Sequence, residues 1–269
     1  MVRFPNCKIN LGLHVTQKRQ DGYHNIETVL YPILLRDALE FIPSTNLQFE
    51  VSGLEVTGKA EDNLCLKAYH LLKKDFPQLP ALKIHLHKAI PIGAGLGGGS
   101  SDGAFMLKMI NEKFGLQLSE AALIDYALKL GSDCPFFIIN KPCYATGRGE
   151  NLETVNVDLL AYKMIVVNPQ IHVSTKDAFS KATPEIPEIS IKEIISQPVE
   201  SWKENLSNDF EKPVFDLHPA IKKIKEAMYA AGSIYASMTG TGSTVFGIFH
   251  KGSEANFSFP ENYLCLVIP

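Results

Sequence analysis

No stretch of the 269-residue chain approaches the roughly 18 consecutive apolar residues that a membrane-crossing helix requires. The densest apolar runs, around Cys134–Ile139 and Met164–Val167, have only the length of strands. The N-terminal stretch MVRFPNCKIN also lacks the apolar core of roughly 7–15 residues found in secretory leaders, so a cytoplasmic location is expected. Cysteine is scarce and irregular. Cys7, Cys65, Cys134, Cys143 and Cys265 show no CxxC spacing and are odd in number, which argues against a disulfide framework or a zinc site. There is no basic surplus: 26 Lys and Arg face 29 Asp and Glu, so no positive field exists to gather nucleic acid or anionic membrane. With 19 Gly and 16 Pro the chain is too poor in both to be low-complexity, and 45 % hydrophobic residues suffice for a core. At about 150 residues per domain, one large or two modest domains are expected.

Residues 7–15 alternate, with Cys7, Ile9, Leu11, Leu13 and Val15 on one face and Lys8, Asn10, Gly12 and His14 on the other, which predicts a strand with one polar face. Asp21-Gly22 marks a turn, and strand character resumes from Ile26 to Leu35. Ala38–Ile42 and Leu47–Val51 read as a hairpin about Pro43–Asn46, Asn63–Phe76 as a capped helix and Lys83–Lys88 as a strand. A helix from about Ala104 to Phe114 and a second from Ser119 to Gly131 follow, then a buried strand at Phe136–Ile139. Beyond a change of character near residue 155, the pattern predicts strands at Lys163–Val167, Ser233–Met238, Thr244–Phe249 and Tyr263–Ile268. Helices are expected near 175–182, 191–196 and 220–231, and 182–188 reads as a surface linker. The architecture expected is α+β, cut into residues 1–153 and 154–269.

The strongest signal is Pro91-Ile92-Gly93-Ala94-Gly95-Leu96-Gly97-Gly98-Gly99-Ser100-Ser101. Five glycines within seven residues just before a helix present consecutive backbone N–H groups that can close around a phosphate without Cβ clashes. The GxGxxG string inside it does not follow the apolar parallel strand of a dinucleotide fold, since Lys83–Lys88 alternates and Pro91 interrupts the turn. Gly99–Gly103 satisfies GxSxG, but no strand leads directly into it as a nucleophile elbow requires. Gly53–Ala60 approaches a P-loop and fails where Ala60 replaces the metal-binding hydroxyl. His85 and His87, at i and i+2, have no third ligand nearby and read as a solvated strand face.

This segment resembles the phosphate loop of the GHMP small-molecule kinases. Lys8-Ile-Asn10-Leu, Asp21-Gly-Tyr23-His24, Glu61-Asp-Asn63-Leu, Leu130-Gly-Ser-Asp133-Cys-Pro135 and Thr239-Gly240-Thr241-Gly242 agree with that family in order and spacing. The resemblance implies a two-domain fold, with an N-terminal domain like ribosomal protein S5 and a ferredoxin-like C-terminal one, and a site in the cleft between them. It implies ATP with Mg²⁺ and, for the GLGGGSS variant of the loop, phosphorylation of the 2-hydroxyl of 4-diphosphocytidyl-2-C-methyl-D-erythritol. Another alcohol acceptor, such as homoserine or mevalonate, and a silent nucleotide-binding protein on the same fold are the alternatives.

In that family an Asp at the position of Asp133 and a Lys at that of Lys8 sit at the accepting hydroxyl. The residue chemistry fits proton acceptance by Asp133 and charge stabilisation by Lys8; a turn or helix cap at Asp133 and an exposed strand lysine at Lys8 are the plainer readings. The family implies that Tyr23 and His24 meet the cytosine, with Phe179 on its second face; ordinary helix packing is the alternative for Phe179. Asn10 and Thr175 would position the methylerythritol end, and Asn63 and Lys88 would contact adenine or ribose. Thr239-Gly240-Thr241-Gly242 is either the family's third glycine motif or a plain hairpin. Ser100 or Ser101 would approach Mg²⁺, with the protein's metal ligands left unassigned. Gly103 stands where the family often has Ala, at a cost of ~1 kcal/mol in helix propensity.

Overall fold

A computed structural model of the chain describes residues 1–56 and 58–268. Two compact units emerge, and the chain threads between them: residues 1–8, 32–92 and 97–141 form the first, and 9–31, 93–96 and 142–269 the second. This differs from the single cut expected near residue 153, because the two longest strands, β2 and β3 below, each contribute residues to both units.

In chain order the first part comprises β1 (Val2–Arg3), β2 (Asn6–Lys18), β3 (His24–Arg36), β4 (Ala38–Ser44), β5 (Gln48–Gly53), α1 (Leu64–Asp75), β6 (Ala81–Lys88), α2 (Gly98–Phe114), α3 (Glu120–Leu130) and α4 (Cys134–Ile139). One sheet has the order β1-β4-β6-β5. The hairpin expected between β4 and β5 does not form. β6 buries Leu82, Ile84 and Leu86 and takes the centre, antiparallel to β4 and parallel to β5, with α1 as the crossover. A turn signal at 43–46 carries no information about which strand lies alongside; burial of the β6 side chains decides it.

α1 begins where Asn63 Oδ1 accepts from Cys65 N at 2.9 Å and buries Cys65, Ala68 and Leu72. α2 starts at Gly98, six residues before the expected start. Gly97, in the left-handed region, is its N-cap. The strand expected at Phe136–Ile139 is helix α4, opened by Pro135 and closed by Asn140 at φ +52°. A short apolar run has no periodicity to separate a buried strand from a buried helix turn, and the capping residues determine the outcome.

Gly103 illustrates packing over propensity. A Cβ there would lie 2.8 Å from Leu64 Cβ, so α2 approaches α1 more closely than alanine permits. Gly103→Ala gains about 1 kcal/mol of helix propensity but forces an overlap costing about 1–3 kcal/mol. Net destabilisation by about 1 kcal/mol in urea unfolding is expected; a more stable variant would refute the packing account.

The remaining elements are β7 (Cys143–Thr146), β8 (Asn151–Thr154), β9 (Tyr162–Asn168), α5 (Thr175–Lys181), α6 (Ile191–Ile195), α7 (Trp202–Asn205), α8 (Glu211–Leu217), α9 (Pro219–Ala230), β10 (Tyr235–Met238), β11 (Val245–His250) and β12 (Leu264–Ile268). They complete two sheets, β2-β3-β7-β8 and the antiparallel β10-β11-β9-β12. The expected second-half strands and helices are present to within about two residues at their ends. β7, β8, α7 and α8 were not foreseen. The second unit's core joins Leu13 and Val15 of β2 to Ile165, Val167, Phe210, Ile221, Ile224, Met238 and Phe249. The 182–188 stretch holds neither helix nor strand, yet Glu185 N donates to Val15 O at 2.9 Å.

β2 departs from expectation on its polar face. All ten residues from Asn6 to Val15 are buried, Lys8, Asn10 and His14 included. A buried polar residue is retained only when partners compensate its desolvation, so this face marks the site.

Candidate active site

In the first unit Lys8 is only 4 % exposed, which excludes the exposed strand lysine. Burial pulls the Lys8 ammonium below its ordinary range, and the Asp133 carboxylate acts in the opposite sense, favouring the charged form. Asp133 occupies the N-cap position of α4 without making a side-chain cap bond. The plain cap reading therefore fails for its carboxylate. A Cβ on Gly97 would come within 3.3 Å of Lys8 Cγ and Cε and 3.1 Å of Phe137, so the loop glycine lies directly against the lysine stem.

The glycine loop alternates left-handed residues, with φ of +63° at Gly93, +77° at Gly95 and +69° at Gly97. Such alternation turns successive N–H groups toward one concavity, and the first turn of α2 adds the unpaired N–H groups of a helix start. Gly98, Gly99, Ser100 and Ser101 make that turn, where Ser101 N donates to Gly97 O at 3.0 Å. Ser101 Oγ is fully buried and has no partner.

Lys88, expected at adenine or ribose, is instead turned inward and 3 % exposed. Its ammonium donates to Asp37 Oδ2 and, at 2.7 Å, to Asp102 Oδ2 on α2. A nucleotide contact by that ammonium is thus not part of this arrangement. Asp37 Oδ1 also accepts from Ala89 N at 2.6 Å and Ile90 N at 2.9 Å, clamping the end of β6. Burial pushes the Asp102 carboxyl up to about 7, the nearby ammonium notwithstanding. Lys88 O accepts from Leu54 N at 2.9 Å, so the same residue supports the neighbouring chain through its backbone.

That neighbouring chain walls a cavity of about 420 Å³ lined by Phe49, Val51, Leu54, Val56, Lys59 and Asn63 among others. Asn63 thus lies at a pocket of small-molecule size whose apolar walls are mixed with Ser52, Glu55, Lys59 and Asp62. The near-P-loop Gly53–Ala60 supplies much of the lining, as a wall rather than a phosphate cradle; its Thr57 lies outside the described residues.

The second unit carries the other anticipated residues. Thr239 is fully buried; its Oγ1 accepts from Asn10 N at 2.9 Å and shares its proton between Asn10 Oδ1 and Gly95 O, both at 3.1 Å. A Cβ on Gly95 would collide with Thr239 O at 2.0 Å. The 239–242 turn is therefore tied to both β2 and the glycine loop, which sets it apart from a plain hairpin. Asn10 Nδ2 donates to Thr28 Oγ1 at 3.0 Å. Thr175 and Thr241 hydroxyls lie 3.3 Å apart, and Gly240 O accepts from Asn208 Nδ2 at 2.9 Å.

His24 stacks on Phe179 at 5.2 Å between centroids, and Phe179 also packs edge-on against buried Phe210. Phe179 thus packs against the core, as ordinary helix packing has it, and also stacks with His24. Burial, with Lys18 nearby, lowers the His24 imidazole below its usual value, so a neutral ring is favoured. Tyr23 is 56 % exposed. Asp37, Asp102, Thr28 and Asn208 were not anticipated from sequence. Their signal lies in burial and partners, which spacing alone does not carry.

The first unit thus holds a buried lysine answered by an aspartate, beside a glycine whose loop opens a helix. The model of the GHMP kinases N terminal domain matches residues 63–141, and that of the GHMP kinases C terminal region matches 190–258. The chain is 53 % identical over 253 residues to the 4-diphosphocytidyl-2-C-methyl-D-erythritol kinase of Bacteroides fragilis, covering 93 % of this chain and 92 % of that protein. It is 50 % identical over 263 residues to the like-named kinase of Cytophaga hutchinsonii, covering 97 % and 96 %. A crystal structure of 4-(cytidine 5'-diphospho)-2C-methyl-D-erythritol kinase superposes with a TM-score of 0.80 at 31 % identity, covering 92 % of this chain and 90 % of that one. The chain belongs to the 4-diphosphocytidyl-2-C-methyl-D-erythritol kinase family of the GHMP kinases, with the family's two-domain fold of mixed helix and strand. It is an ATP-dependent phosphotransferase acting on a small molecule. Among the described residues no helix is long and apolar enough to cross a membrane.

Proposed function

We propose that the chain transfers the γ-phosphoryl group of ATP to the 2-hydroxyl of 4-diphosphocytidyl-2-C-methyl-D-erythritol, in the cytoplasm and within isoprenoid precursor synthesis. The observation that carries the chemistry is the buried Lys8 whose charge is answered by Asp133, beside Gly97. Asp133 accepts the hydroxyl proton as the oxygen attacks Pγ; the Pγ–O bond to the β-phosphate breaks and ADP leaves. Lys8 stabilises the charge on the transferring group, an effect enlarged by its dry surroundings.

The glycine loop and the first turn of α2 receive the triphosphate, and the cavity at Asn63 receives the nucleoside. Mg²⁺ takes few protein ligands when phosphates and water supply the others, so the absence of a three-residue metal cluster among the described residues is compatible with it. The orphaned Ser101 hydroxyl in the first turn of α2 is an oxygen donor of the kind such an ion takes. Bound there, the ion would neutralise phosphate charge. Tyr23, His24 and Phe179 recognise the cytosine, while Asn10, Thr175 and the 239–242 turn hold the sugar-alcohol end.

The test is a coupled ADP-release assay with Mg-ATP and four acceptors. Turnover is expected with the cytidyl compound alone among it, homoserine, mevalonate and galactose. Turnover with one of the others would retain the Lys8/Asp133 chemistry and discard the base site, and silence with all four would favour a non-catalytic nucleotide-binding protein.

A further inference from the structure

Tyr23 is more than half exposed, yet its main chain is fixed at both ends. Tyr23 N donates to Asp21 Oδ1 at 3.1 Å, and Tyr23 O accepts from Arg19 N at 2.8 Å. Asp21 is itself gripped by the Arg19 guanidinium, with bonds of 2.9–3.1 Å, and Arg19 Nη1 reaches Asn25 Oδ1 at 3.1 Å. What the loop leaves free is the rotation of the tyrosine side chain. A second turn, in the same compact unit, supplies the missing constraint. Gly147 O accepts from Ile26 N at 2.8 Å, which anchors the 147–150 turn to β3. From that turn the Arg148 guanidinium lies over the Tyr23 ring, 5.1 Å from its centroid, and Glu150 Oε1 holds Arg148 Nε at 3.2 Å.

We propose that Arg148 is a positioning residue for the base site: its guanidinium backs the Tyr23 ring and holds the opposite face ready for the cytosine of the substrate. The inference rests on the assignment of Tyr23 to that base. A guanidinium is flat and always charged, so it stacks on a ring face through both dispersion and the ring quadrupole. The charges near it are the carboxylates of Asp21 and Glu150, which also act on the Arg19 guanidinium, so two acids balance two arginines between the turns. Fixing the ring before the base arrives removes an ordering cost from binding, so the gain appears in substrate affinity and not in the chemical step.

The experiment compares Arg148→Met, Arg148→Lys, Tyr23→Ala and the Met/Ala double variant in the full chain, after thermal melting establishes that each is folded. Arg148→Met is expected to raise KM for the cytidyl substrate and Ki for free cytidine by the same factor, about threefold to tenfold, with kcat and KM for ATP changed less than about twofold. Arg148→Lys, which keeps the charge without the plane, should fall between. In the Tyr23→Ala background Arg148→Met should add nothing. A rise for the cytidyl substrate without one for cytidine would place Arg148 on the diphosphate and overturn the proposal. A further loss on top of Tyr23→Ala would overturn it as well. If Tyr23→Ala itself leaves KM for the cytidyl substrate unchanged, it is the base-site assignment that fails, and the role of Arg148 with it.

Discussion

Replacing Asp133 by Asn is expected to lower kcat about a thousandfold while leaving the dissociation constant of ATP within about threefold of its original value. The amide keeps the size and the N-cap position but has no basic oxygen for the hydroxyl proton. A second loss follows from the neighbour. Lys8 is buried, and burial alone favours its neutral form; the Asp133 carboxylate is the main charge acting against this. With Asn at 133 the lysine should release its proton at lower pH than in the unaltered protein, so residual activity should fall away earlier on the alkaline side. Single-turnover rates from pH 6 to 10, with ATP affinity measured in parallel, separate the effects. Near-normal turnover would remove Asp133 from the chemistry, and an unmoved alkaline limb would remove its hold on Lys8.

Lys88→Met is expected to be the most damaging single change to stability, about 3–5 kcal/mol in urea unfolding at pH 8, because it strands two buried carboxylates. The pH dependence follows from where the protons sit. Asp102 titrates near 7 in the folded chain, above its ordinary 3.8, because burial penalises its charge. Between those values the folded state binds the extra proton, so this group's contribution to stability declines as pH rises through the window and is lowest above about 7. For Lys88 burial lowers the ammonium, but the Asp102 and Asp37 charges more than offset this; raised like Asp102, it too loses its contribution as pH rises, but only above the usual lysine range. The Met variant should therefore be less impaired at pH 5, where Asp102 is protonated, than at pH 8. Adding Asp102→Asn should restore part of the loss. Equal destabilisation at both pH values would show that the deficit is one of packing.

The glycine loop and β2 were legible because their signals are local: a run of glycines before a helix, and a strict alternation at 7–15. Three features were not. β5 lies on the far side of β6 because burial of the central strand decides adjacency, and the residues at 43–46 do not encode it. Residues 134–139 carry no period to separate strand from helix. Asp102 looks like one more polar residue after two serines, and only Lys88, 14 positions upstream, reveals it as half of a buried pair. Lys8 and Asp133 were legible as a pair only through the family's pattern; burial then showed why the lysine needs the aspartate.

The threading of the chain also has a bearing on its birth on the ribosome. Leu13 and Val15 leave the exit tunnel early, yet the core that receives them is completed by Met238, Val245 and Phe249. At roughly 5–20 residues per second these two side chains wait on the order of 10–50 s for their partners. During that interval the second half of β2 is an apolar strand without its core, and the nascent chain depends on sequestration of that segment more than an enzyme with two sequential domains would.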